Sequence, residues 1–143
     1  MNRSFIHHIL VILTTCMASV VIDSFGFRIS YCNGDKERME AQVHGPLTRM
    51  QGMPEKKLKY AAYVNDMMAL FTIGVNPIGL VVAKELGFDM HSYDGAPFLL
   101  GPILITVKGD GPLSDGQITY IHGLFDKFYA KSEWVPRMVT KKI

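Results

Sequence analysis

The side chains best suited to hold a metal ion or attack a substrate are His44, Met50, Met53, the Met90 and His91 pair, and Cys32. Thioether and imidazole donors together select soft copper(I) in an oxidising compartment, so the first five form a candidate copper set. Methionine is equally a filler of irregular cores, and the chain has no dense Met-x-Met or His-rich repeat among its nine Met and five His. The core reading therefore outweighs the metal reading, and no cofactor is expected.

Cys32 is the lone thiol outside the apolar N-terminal stretch that contains Cys16. That placement predicts a free thiol, a modified one, or a bond to another chain. A Cys32–His44 nucleophile pair has no support from spacing. The stretch GDGPLSDGQI, residues 109–118, resembles a calcium loop only superficially. With Gly116 at the glycine position, the oxygen-ligand positions fall on Gly111, Leu113 and His122 instead of acids. The chain has no phosphate-cradling glycine loop, nucleophile elbow, His-Glu-x-x-His or Cys-x-x-Cys. Catalysis is the less favoured reading.

A chain of 143 residues can bury one core without disulfide or metal support. Its formal charge is only +2, and Lys and Arg are dispersed, with a modest cluster at Arg137, Lys141 and Lys142. Nucleic acid is therefore not an expected partner.

The most distinctive segment is residues 4–22, which carries no formal charge. As a helix it is long enough for the roughly 30 Å of a bilayer core. Phe5, Ile9, Leu10, Val11, Ile12, Leu13, Val20, Val21 and Ile22 would be the lipid-facing anchor. The competing readings are a cleaved signal peptide, with a poor cleavage site near Ala18, or lipidation at Cys16. Arg3 precedes the run and Asp23 follows it, which favours an extracytoplasmic remainder. The expected location is thus a membrane, or a secreted or periplasmic compartment after cleavage.

The elements that must position these groups are read from periodicity and punctuation. Residues 25–31 alternate strictly, with Phe25, Phe27, Ile29 and Tyr31 on one face, and Asn33-Gly34 ends the strand. Asp35 caps a polar helix, KERMEAQV, that stops near His44-Gly45-Pro46. Tyr60, Tyr63, Val64, Met67, Met68 and Phe71 recur at helical spacing, which predicts an amphipathic helix starting at Pro54 and closed by Gly74, with Lys56, Lys57 and Lys59 in its solvated first turns. Asn76-Pro77 reads as an N-cap followed by proline at N1, and Gly87 as the residue after the helix end. These caps favour two short helices over one membrane span across residues 67–83.

Residues 96–107 are apolar but too short to span, and Gly101-Pro102 interrupts them; they read as a buried helix, or as an irregular turn leading into a strand at 103–107 able to pair with 25–31. Ser114 and Gln117 have capping-box spacing, opening a helix over 115–131 that turns Ile118, Ile121, Leu124, Phe125 and Phe128 inward. Residues 132–143 form a basic tail with Trp134 as a candidate docking anchor.

Together these readings predict a mainly α fold: a small helical bundle with a short two-stranded β element, preceded by an N-terminal hydrophobic helix. The expected organisation is a membrane anchor or signal segment at 1–24, a helical domain at 25–131 and the tail at 132–143. The expected function is that of a small membrane-anchored, non-catalytic accessory or assembly subunit, with other membrane protein subunits and the lipid bilayer as partners. The alternative is a secreted or periplasmic helical domain that binds an apolar ligand or a soft metal such as copper.

Overall fold

The structure is a computed structural model that describes residues 17–55, 57–67, 75–89 and 101–131. Among these residues five strands and three helices follow one another as β1 (Ala18–Asp23), β2 (Gly26–Tyr31), α1 (Lys36–Val43), β3 (Leu47–Arg49), β4 (Tyr60–Asn65), α2 (Pro77–Glu85), β5 (Ile103–Val107) and α3 (Asp115–Lys131). The strands form one sheet in the order β2-β1-β5-β4-β3, and every pairing is antiparallel.

Both faces of the sheet are covered. Val20, Ile22, Ala62, Val64, Ile103 and Ile105 project into a large core shared with α2 and α3. Their neighbours along the strands, Val21, Ala61, Tyr63 and Leu104, pack on the other face with Cys32, Met39 and Val43 of the α1 region. Successive side chains of a strand point to opposite faces, so the same three central strands supply both cores.

This arrangement corrects the mainly α expectation, and the physical reason lies in those central strands. All six residues of β4 are buried, as are the first five of β1. A strand buried on both faces reads as a continuous apolar run without alternation, and periodicity cannot distinguish it from a buried helix. Tyr60, Tyr63 and Val64 matched helical spacing by coincidence; in β4 they lie on both faces of the sheet. The strand at 103–107 also finds different partners from the expected one, because β1 lies between it and β2.

The N-terminal helix is corrected in the same way. Val20, Val21 and Ile22 are fully buried in β1, hydrogen-bonded between β2 and β5. No helix among the described residues is long and apolar enough to cross a membrane. Phe5, Ile9, Leu10, Val11, Ile12 and Leu13 lie outside the described residues.

The helix ends follow the caps read from sequence. The Asp35 carboxylate accepts from the Arg38 amide, and His44 closes α1 in the left-handed conformation at φ 64°. Asn76 caps α2, with Pro77 in the first turn. The Ser114 amide donates to Gln117 Oε1 at 2.9 Å and the Gln117 amide to Ser114 Oγ at 3.2 Å, completing the capping box of α3. The Leu113 amide donates to the Ala18 carbonyl, which fixes the start of α3 against β1.

Candidate functional site

The copper candidates do not form a cluster among the described residues. His44 ends α1 on one side of the sheet, Met50 is buried in the core on the α2–α3 side, and Met53 is half-buried, its amide donating to the Gly87 carbonyl. Met90 and His91 lie outside the described residues, as does Trp134. No group of three His, Cys, Asp or Glu capable of holding a metal occurs among the described residues. Cys32 is an unbonded thiol, 1% exposed, in the smaller core beside Val21 and Met39. A bond to another chain would require that core to open.

A polar network sits at one end of the sheet. The Tyr63 hydroxyl donates to Asp110 Oδ1, and Arg49 Nη1 lies 4.0 Å from Asp110 Oδ2. Burial first, then the hydrogen bond to Asp110 and that carboxylate's charge, push the Tyr63 phenol up to about 12. A phenol so strongly protonated is a poor general base at neutral pH, and its role here is to hold the turn after β5.

A cleft of about 340 Å³ opens between the chain entering β4, the end of α2 and the first turns of α3. Its floor is the buried pair Tyr60 and Leu86, and its walls are Lys57, Lys59, Glu85 and Tyr120. Burial, and secondarily the neighbouring Tyr120, raise the Tyr60 phenol above its usual 10.0. Leu58 tucks into the large core between the two lysines, which leaves Lys57 and Lys59 exposed. A helical reading of this segment made those lysines a solvated first turn. The irregular chain ahead of a strand is what turns them toward a cavity.

The third feature is the outer side of β2. It is a terminal strand of the sheet, and nothing among the described residues pairs with its free edge. Ile29 and Tyr31 are 42% and 46% exposed, while Phe25, in the turn between β1 and β2, is 90% exposed. That turn is held by the Asp23 carboxylate, which accepts from the amides of Phe25 and Gly26 and pairs with Arg28. Phe27 carries the apolar stripe to α3, where its ring lies 4.7 Å from His122 and 5.7 Å from Phe125. Phe125 in turn stacks on the half-exposed Tyr129. The alternation of residues 25–31 was legible as a strand, but Phe25 belongs to the turn and the apolar face is only partly covered.

The other terminal strand is built differently. β3 is only three residues long, follows Pro46 and ends in the exposed Arg49, features that discourage further pairing. β2 is twice that length and keeps Ile29 and Tyr31 at the surface.

The described residues thus form a three-layer domain, an antiparallel sheet with helices on both faces, with an apolar sheet edge that is unpaired among them and a small basic cleft. Comparison of the chain with protein-family models, with curated proteins and with solved structures finds no match.

Proposed function

We propose that this protein is a non-catalytic accessory subunit that binds a partner protein by extending its sheet at β2. One observation carries the reading: Ile29 and Tyr31 stand exposed on a six-residue edge strand, with the exposed Phe25 in the turn before it, and the strand's outer hydrogen-bonding groups have no partner among the described residues. An edge strand of this kind is a template for an extended segment of another chain, and side chains at alternate positions supply the specificity. Exposed aromatic residues beside an apolar stripe are the usual anchors of such contacts.

A membrane assembly remains part of the proposal through the charge-free residues 4–17, as a property of the sequence. The alternative of a copper-binding domain gains nothing from the positions of His44, Met50 and Met53.

The test is a photo-crosslinking amino acid placed at Ile29 of the full chain in its native cells, with the same group at the exposed Lys36 of α1 as control. The expected result is one partner polypeptide joined through an extended segment from position 29 and not from 36, recovered with the membrane fraction. Equal labelling from both positions, or none from 29, would overturn the assignment.

A further inference from the structure

We propose that the cleft lined by Lys57, Lys59, Tyr60, Glu85, Leu86 and Tyr120 binds a small organic anion: a phosphate or carboxylate carried on a compact apolar or aromatic body. Its volume of about 340 Å³ is at the lower end of the roughly 300–1,000 Å³ typical of small-molecule sites. That size suits a ligand with a single ring better than a peptide.

The lining gives the chemistry. Lys57 and Lys59 make no ion pair among the described residues, so two ammonium groups stand available on one wall. Each offers three donors and no acceptor, and the lining tyrosines Tyr60 and Tyr120 each carry one hydroxyl donor. Donors and positive charge therefore dominate, and an anionic oxygen is the group that satisfies them. The ring of Tyr60 and the side chain of Leu86, both buried, give the floor its apolar character and favour a ligand with a flat or aliphatic body over a bare inorganic ion. Glu85, the one carboxylate of the lining, lies on the α2 side and orients the anion toward the lysines by repulsion.

None of these residues belongs to β2, so this site stands or falls independently of the sheet-edge contact. The test is a nuclear magnetic resonance titration of the isotopically labelled full chain with three probes: phenyl phosphate, inorganic phosphate and benzyl alcohol. Phenyl phosphate is expected to give saturable shifts of the amides of Lys57, Lys59, Tyr60, Leu86 and Tyr120. The other two probes, each lacking half of the recognised chemistry, are expected to bind at least tenfold more weakly. The double substitution Lys57→Gln and Lys59→Gln changes exposed side chains only. Losing two charge-assisted hydrogen bonds is expected to weaken phenyl phosphate by roughly tenfold or more. Lys36→Gln on α1 is expected to leave binding unchanged.

The proposal is overturned if phenyl phosphate gives no saturable shifts, if its shifts fall elsewhere, or if the double variant binds it as tightly as the parent. Inorganic phosphate binding as tightly as phenyl phosphate would overturn the assignment of an organic anion.

Discussion

The hydroxyl of Tyr63 in β4 donates a hydrogen bond to the carboxylate of Asp110, 47 residues further along the chain in the turn after β5. Asp110 sits there at a φ of 62°, a left-handed conformation unusual for a residue with a side chain. The turn is also closed by its own backbone, the Asp110 amide donating to the Val107 carbonyl and the Val107 amide to that of Gly111. Tyr63 and Arg49 add a side-chain tie from two neighbouring strands. Tyr63→Phe keeps the buried ring and removes only the hydroxyl. Its expected cost is about 1–2 kcal/mol in urea denaturation at pH 7, because the lost bond is to a charged acceptor. A variant as stable as the parent would show that the backbone alone holds the turn.

The same phenol makes stability depend on alkaline pH. Its pKa in the folded chain is about 12 against 10.0 when exposed, so folding favours the protonated form. This contribution is complete below pH 10 and is lost as pH rises from 10 through 12. Over that interval the Tyr63 share of the loss is on the order of 2 kcal/mol. Tyr60, also raised, adds a loss of the same sign. Denaturation midpoints measured from pH 8 to 12 are expected to fall above pH 10, and to fall less steeply in Tyr63→Phe. Identical slopes in parent and variant would remove Tyr63 as the source.

Asn76 is the polar residue on which α2 depends. It is 1% exposed, and its Nδ2 donates to the Ile22 carbonyl at 2.8 Å and the Gly101 carbonyl at 3.0 Å while its Oδ1 accepts from the Gly79 amide. Asn76→Ala removes an N-cap worth about 1 kcal/mol and also deprives two carbonyls of a partner. The expected total is about 2–4 kcal/mol. Gly79→Ala tests the same contact from the other side, because an added Cβ would come within 2.4 Å of Asn76 Nδ2. Both variants are expected to lower the urea midpoint. A stable Gly79→Ala would show that the capping side chain can move aside.

The features legible in sequence were those encoded by neighbours in the chain. Asp35, Asn76-Pro77, Gly87 and the Ser114–Gln117 box each act within one helical turn; all three described helices begin where these residues direct, and α2 ends just before Gly87. The strand at 26–31 was legible because its place at the edge of the sheet preserves alternation. β1 and β4 were not, because their partners lie far away in sequence and burial on both faces removes the periodic signal. A charge-free run ending in Val20, Val21 and Ile22 fits a membrane helix and a central strand equally well by composition. Pairing with Ile103, Leu104 and Ile105 is what distinguishes them. The cleft was hidden for the same reason, since Lys57 and Lys59 meet Tyr120 only after β4 has entered the sheet.

The exposed β2 edge makes the most direct prediction about function. Ile29→Lys and Tyr31→Lys place charges where the native side chains are already 42% and 46% exposed. The fold is therefore expected to lose about 1 kcal/mol or less, with little change in thermal midpoint. Binding is expected to respond differently. A charge on the free edge opposes a pairing strand, and truncating a central apolar anchor commonly costs 2 kcal/mol or more, about 30-fold in Kd. Calorimetry with the partner captured through position 29 is expected to show that loss in either variant. Tyr120→Phe, in the basic cleft beside β4 and away from the β2 edge, is expected to bind the partner like the parent. If both lysine variants keep native affinity while remaining folded, the contact lies elsewhere, and the apolar stripe from Phe27 through Phe125 to Tyr129 becomes the surface to mutate next.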